Sequence, residues 1–362
     1  MLRLPDFPWD ELGPAKSLAS EHPEGLIDLS VGSPVDDTPG LLQQALAEAS
    51  NAPGYPTVRG SQATRDDLVA WWHQVRGATG VSAEGVFPTI GSKEMVGLLP
   101  LLLGLGPQDA VVYPRIAYPT YQVGATLVGA QSRASDDPDS WPEGTKLVWL
   151  NSPGNPTGEV LSIEQLQRAV ARARQLGAVL ASDECYALLG SGSQPHSPSL
   201  LCDEVTGGDL TGLVALYSLS KQSNLAGYRG AMLAGDPGVI DPIVLARRHL
   251  GLMSPEPIRQ VLRVALGDSS HVDDIRQRYH RRREVLTPAV LAAGLRITGG
   301  DAGLYIWATA DQLAMDTVMD VATRGVLVTP GHFYGPAGNQ HVRIALTATD
   351  GDIEAAAARL SL

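Results

Sequence analysis

Cysteine is scarce in this chain: there are 2 in 362 residues. Cys185 and Cys202 allow at most one disulfide, which excludes a disulfide scaffold and points to a reducing compartment. Long apolar runs are missing as well. The longest, MVGLLPLLLGLG at 95–106, is too short for a bilayer and contains Pro100. The opening stretch, MLRLPDFPWDEL, has a single basic residue and no apolar core of export length, so a cytoplasmic protein is expected. Basic charge is in deficit: 27 Lys and Arg stand against 39 Asp and Glu, a formal net charge of -12. That balance argues against general binding to nucleic acid or to an anionic membrane surface. The histidines show no HExxH or other ligand spacing, so no metal site is expected. No Gly-x-Gly-x-x-Gly follows a strand, and GLGPQD at 104–109 is broken by Pro107. A dinucleotide-binding oxidoreductase is therefore disfavoured. There is no internal repeat and no long linker.

What is present is apolar character and turn chemistry. Hydrophobic residues make up 44% and charged residues 18%, which excludes a disordered chain. The 39 glycines and 26 prolines are spread along the chain and signal many tight connections. Short apolar runs predict strands at 86–90 (VFPTI), 110–113 (AVVY), 125–128 (ATLV), 146–150 (KLVWL), 178–182 (AVLAS), 213–217 (LVALY) and 231–235 (AMLAG). Helical stretches alternate with them. One, at 162–176, has Ser162 as N-cap and Gly177 as C-cap. The pattern predicts an α/β fold with a mostly parallel sheet covered on both faces. After Pro242 the texture changes. A charged helix is expected over 271–293, with a bend at Pro288, followed by short strands in LRITG, GLYIWAT, GVLVTP and HVRIALT. The expected division is a large domain at 36–240 and a smaller α+β domain built from 1–35 and 241–362.

Four motifs each follow a predicted strand: GSKE at 91–94, NSPGNPTG at 151–158, SDECY at 182–186 and SLSKQSNLAGYR at 218–229. They should therefore meet at the carboxyl ends of the strands, where open α/β sheets bind ligands. Lys221 can form a Schiff base if its surroundings make its ammonium acidic. Ser218, Ser220 and Arg229 suit a phosphate, and GSK opens a helix whose amides form another anion site. Asp183 is a carboxylate able to pair with a protonated ring nitrogen, and Asn155 and Tyr186 can donate to a phenolic oxygen. Together these groups fit pyridoxal phosphate.

With these motifs the chain resembles the fold-type I, class I/II aminotransferases over essentially its whole length. The resemblance implies roles residue by residue. Lys221 becomes the Schiff-base lysine, Asp183 the partner of the pyridine nitrogen, and Tyr186 and Asn155 the groups on the ring oxygen. Ser218, Ser220, Arg229 and the amides of Ser92 and Lys93 become the phosphate cup. Tyr118, in PRIAYPTY, takes the place of the aromatic stacked on the ring. Tyr55, in GYPTVRG, takes that of a tyrosine reaching the neighbouring subunit's cofactor phosphate, which implies a homodimer. Gly32, in LSVGSP, lies near the substrate, and Arg343, in HVRIALT, grips its α-carboxylate. The segments LPDFPWDELGPAK, DLSVGSPVD, SLSKQSNLAGYRGAMLAGDP, GHFYGPAG and HVRIALTATD resemble actinobacterial succinyldiaminopimelate aminotransferases in particular. That branch implies ping-pong transfer from glutamate, through a Schiff base at Lys221, to N-succinyl-2-amino-6-oxopimelate on the route to diaminopimelate and lysine, with 2-oxoglutarate released.

Other readings stand beside this one. An aminotransferase acting on aspartate or an aromatic amino acid uses the same scaffold, as does a carbon–sulfur lyase. A ligand-sensing module would need an attached DNA-binding domain, for which there is no room before LSVGSP. Cys185 is read as a buried structural thiol. The Lys93 side chain and the run HRRRE at 280–284 are read as solvated helix faces.

Overall fold

The computed structural model describes residues 4, 8–190 and 195–362. Part of the LPDFPWDELGPAK segment, and so part of the expected 1–35 stretch, lies outside them. Seven strands form the main sheet. Across it the order is Val86–Ile90, Gly230–Gly235, Leu213–Ser218, Val179–Asp183, Thr145–Asn151, Ala110–Tyr113 and Gln131–Ala134. Gly230–Gly235 runs antiparallel to both neighbours, and the other pairs are parallel. The central strands are apolar on both faces because each face meets a buried cluster. Trp72, Leu166 and Leu180 lie in one, and Met95, Leu99 and Trp149 in the other.

Local chemistry sets the helix ends. Ser162 accepts from the Gln165 amide while Gln165 reaches back to the Ser162 amide, and Gly177 ends Ile163–Leu176 in the left-handed region. The expected strand at 125–128 is instead the end of a helix, Thr120–Leu127. Tyr121, Gly124 and Ala125 are buried at helical spacing, which outweighs the β-branched look of ATLV. The strand follows at Gln131–Ala134, a polar edge that apolar patterning does not reveal.

A second sheet is antiparallel, in the order Thr329–Pro330, His341–Ala345, Tyr305–Thr309 and Arg296–Ile297. GVLVTP proves to hold two strands, because Val326–Leu327 pairs elsewhere, in parallel with Ile27–Asp28. The segment after Asp28 stays laced to this region. Leu29 O accepts from the Ala345 amide at 2.8 Å, and Ser30 O accepts from the Thr329 hydroxyl at 2.6 Å. One cluster accordingly joins Leu12, Ile27 and Leu29 to Ile306, Val326 and Ile353. Helix Pro237–Leu250 runs across position 240 and Glu256–Gly267 follows it, and they bury Ile240, Ile243, Val261 and Leu262 against the main sheet's clusters. Among the described residues, no helix is long and apolar enough to cross a membrane.

The long helix Ser270–Ala292 runs through Pro288. Its HRRRE run is only in part the solvated face expected: Arg281 and Glu284 are exposed. Arg282 is buried, gripping Asp36 with two nitrogens and Asp350 with a third. Arg283 donates to the carbonyl of Tyr305. At the helix start, Asp268 accepts from the His271 amide at 3.0 Å and from His271 Nδ1 at 2.6 Å, and His271 Nε2 meets Ser223 Oγ at 2.8 Å. A carboxylate only accepts, so Nδ1 carries a proton. This serine–histidine–aspartate order does not make a nucleophile, since Ser223 is fully buried. It ties the helix to the turn that carries Lys221. The bonds from His271 and Ser270 pull Asp268 down to about 2. A depressed carboxylate stabilises the fold above its unfolded pKa, and the contribution fades as pH falls through the folded value. Asp268→Asn should therefore cost about 1–2 kcal/mol at neutral pH, allowing for partial exposure. Urea midpoints of the two proteins should converge between about pH 4 and pH 2. A gap that stays constant across that range would exclude Asp268 as its source.

Candidate active site

Register brings the motifs together. Asn151 pairs with Asp183, Ser218 with Ala231, and Ile90 with Gly230, so four strand ends open on one edge of the main sheet. Lys221 lies in the single helical turn Leu219–Gln222, capped by Ser218. Its Nζ donates to the carbonyl of Gly32, which arrives on the laced N-terminal segment. Burial lowers the Lys221 pKa, Arg343 and Arg229 add to the effect, and Tyr305 and Cys185 oppose it.

Asp183 is buried and accepts from Tyr121 Oη at 2.9 Å and from the Cys185 amide at 3.2 Å. Burial nevertheless raises its pKa, with the Cys185 and Tyr121 bonds pulling against it. Tyr121 was not anticipated from sequence. It is fully buried, stacks on Trp149 at 5.1 Å and meets Tyr118 edge-on at 6.2 Å. The Cys185 thiol lies between Asp183 and Ser92, burial pushes its pKa up, and it is unpaired with Cys202.

The helix Ser92–Leu102 begins at Gly91 with no side-chain cap, so its first amides point outward with the positive end of the helix dipole. Gly91 has φ of 72°, and a Cβ there would lie 2.2 Å from an Arg229 nitrogen. Arg229 itself sits at φ 60°, a left-handed backbone that costs a side chain about 1 kcal/mol or more and persists only when its surroundings enforce it. Its Nη1 donates to the Ala226 carbonyl at 2.8 Å. Ser218 Oγ lies 3.0 Å from Ser220 Oγ. The Lys93 ammonium, expected in solvent, stands 5.8 Å from the Tyr118 ring centroid.

The second sheet supplies the facing wall. Six arginines are buried among the described residues: Arg76, Arg247, Arg259, Arg282, Arg343 and Arg359. Five pair with carboxylates, namely those of Glu184, Glu94, Glu256, Asp36 with Asp350, and Glu24. Arg343 alone pairs with none among the described residues. Its Nη2 donates to the Ser30 carbonyl at 2.6 Å and its Nη1 to Asn155 Oδ1 at 3.2 Å, while its Nε has no partner. Its guanidinium carbon stands 4.2 Å from the Tyr305 ring centroid and 5.1 Å from that of Tyr334. Burial works against this cation, but the hydroxyls of Tyr334, Tyr305, Tyr186 and Tyr118 outweigh it. Tyr305 and Tyr334 were also not anticipated, because only strand pairing and the 331–334 turn bring them to Arg343. Tyr186 Oη lies 3.2 Å from Tyr305 Oη. Gly32 is compressed against the same hydroxyl, since a Cβ would stand 2.0 Å from it. Tyr55 stands apart from this group, 99% exposed.

The donor set fits pyridoxal phosphate. Among the described residues the buried carboxylate with a raised pKa has no positive partner, a place that a pyridinium would fill. The uncapped helix start, Arg229 and the paired serines suit a dianion. Arg343 is left without a carboxylate among the described residues.

The sequence model of the family described as aminotransferase class I and II matches residues 24–360. The 4-dedimethylamino-4-oxo-anhydrotetracycline transaminase OxyQ of Streptomyces rimosus is 48% identical over 362 residues, covering 100% of both chains. A probable aminotransferase of Mycobacterium tuberculosis is 47% identical, covering 99% of this chain and 85% of its own. Among solved structures, a probable N-succinyldiaminopimelate aminotransferase of Thermus thermophilus superposes with a TM-score of 0.87 at 27% identity, covering 98% of this chain and 99% of its own.

Proposed function

This chain belongs to the class I and II aminotransferases, whose cofactor is pyridoxal 5′-phosphate, and on that premise we propose that it moves an amino group from glutamate to N-succinyl-2-amino-6-oxopimelate. The observation that carries the carboxylate-bearing donor and acceptor is Arg343, a buried guanidinium without a carboxylate of its own among the described residues; the choice of the succinylated acid draws support from the resembling segments and the Thermus thermophilus neighbour. Both the donor and this acceptor present a carboxylate next to the reacting carbon. Arg343 grips it with two nitrogens and so fixes which bond on that carbon faces Lys221.

When bound, the cofactor supplies an aldehyde for the amino group and an electron-withdrawing ring. Asp183 holds positive charge at the ring nitrogen, and Asn155 and Tyr186 bond the ring oxygen. Tyr118 covers the ring. Ser218, Ser220, Arg229 and the amides of Ser92 and Lys93 hold the phosphate. Lys221 would take the proton from the substrate α-carbon and deliver it to the cofactor's aldehyde carbon, a task that its lowered pKa favours. The carbonyl of Gly32 steadies its ammonium. Transfer in two separate halves implies ping-pong kinetics. Tyr55, at 99% exposure, is a residue for a second copy of the chain to cover, its hydroxyl reaching that copy's phosphate in a homodimer.

A second reading draws support from the Streptomyces relative, whose name gives a 4-oxo ring compound as acceptor. An acceptor panel with glutamate separates the two. Succinylated, acetylated and free oxopimelates and a cyclic ketone are compared by the 2-oxoglutarate formed. The succinylated acid should have the highest kcat/KM. Turnover of the ketone with all three acids idle would select the second reading.

A further inference from the structure

We propose that Tyr305 is a positioning residue: its hydroxyl donates to Tyr186 and thereby sets how strongly Tyr186 holds the cofactor's ring oxygen. The inference rests on the pyridoxal phosphate reading above. Three contacts carry it. Tyr305 Oη stands 3.2 Å from Tyr186 Oη. The same oxygen presses on Gly32, where a Cβ would lie 2.0 Å away, and the Gly32 carbonyl accepts from Lys221. The Tyr305 ring carries the Arg343 guanidinium on its face at 4.2 Å. One buried side chain thus touches the group for the ring oxygen, the group for the substrate carboxylate and the backbone that receives Lys221.

Proton counting gives the direction. A tyrosine hydroxyl has one proton and can accept as well. With nothing bound, either hydroxyl of the pair can donate. Once Tyr186 spends its proton on the ring oxygen, only Tyr305 can supply the proton between them. Donation into Tyr186 polarises it and strengthens its own donation onward. The surroundings suit a donor. Burial raises the Tyr305 proton affinity, yet the Arg343 and Lys221 cations work to lower it, with Cys185 opposing them. Tyr334 and Tyr279 are the other titratable groups that feel this hydroxyl.

The test is the pH midpoint of the bound cofactor's visible absorbance, read in wild type, Tyr305→Phe, Tyr186→Phe and the double variant, each loaded with pyridoxal phosphate. Weakening the donor on the ring oxygen makes that oxygen and the nitrogen beside it hold their shared proton more tightly. Tyr305→Phe should therefore raise the midpoint by ~0.5–1 unit, a three- to tenfold change in proton affinity. Tyr186→Phe should raise it at least as far. The double variant should match Tyr186→Phe, because Tyr305 acts through Tyr186. Loss of one hydroxyl leaves the ring under Arg343, and thermal midpoints of the unloaded variants register any purely structural cost. A Tyr305→Phe midpoint equal to wild type, while Tyr186→Phe moves, overturns the inference and leaves the cofactor reading intact. So does a full Tyr305 shift on the Tyr186→Phe background. A wild type with no titrating band and no lysine fixed by borohydride defeats both.

Discussion

Lys221→Ala should lower amino transfer by a factor on the order of 10⁴ or more, while the protein still binds pyridoxal phosphate. The expectation follows from how few amines the chain has: its lysines are Lys16, Lys93, Lys146 and Lys221. Of these, only Lys93 lies in the same group of residues, and its ammonium stands over Tyr118. A lost Lys221 therefore has no stand-in for moving the α-carbon proton. The groups proposed to hold the phosphate and ring, Arg229, Ser218, Ser220 and Asp183, are untouched by the substitution, so binding and turnover should separate. Borohydride reduction followed by peptide mapping should fix the cofactor to Lys221 in wild type and to no lysine in the variant. A fixed cofactor elsewhere, or turnover within tenfold of wild type, would move the catalytic amine to another residue.

Lys221, Asp183 and Asn155 could be brought to one edge from sequence because each lies at or shortly after the end of a buried strand, and one parallel arrangement delivers all three there. The antiparallel course of Gly230–Gly235 was not legible, since a strand covered on both faces reads as the same apolar run whichever way it points. ATLV failed for a related reason: a short apolar run does not separate strand from helix, and the helical spacing becomes visible only when Tyr121 is included. Tyr305 was hidden because its importance is non-local. It lies in GLYIWAT beside Trp307, whose register partner is Arg343, and only that pairing brings its ring under the guanidinium. Arg282 shows the same limit from the other side. The long helix looked like a charged surface, yet its partner Asp36 is 246 positions away.

Arg343→Met should lower kcat/KM for glutamate by roughly 30- to 5,000-fold, the equivalent of losing a buried charge pair of about 2–5 kcal/mol. The same substitution should cost the unloaded protein far less stability than breaking a buried ion pair. The two expectations share one cause. Desolvating a guanidinium costs several kcal/mol, and among the described residues that cost is offset by the Ser30 carbonyl, Asn155 and the surrounding tyrosines rather than by a carboxylate. A thioether of similar reach removes that cost together with the function. Arg76→Met supplies the contrast, because it strands fully buried Glu184 without its cation and should cost about 3–5 kcal/mol. Thermal or urea unfolding of the three proteins reads this directly. Half-reactions extend the argument to the acceptor. If the acceptor is a 2-oxo acid, Arg343→Met should slow both halves by similar factors; if it is a ketone lacking the adjacent carboxylate, only the glutamate half should slow. Unchanged kinetics toward glutamate, or a stability loss as large as that of Arg76→Met, would show Arg343 to be a structural cation and place the carboxylate clamp elsewhere.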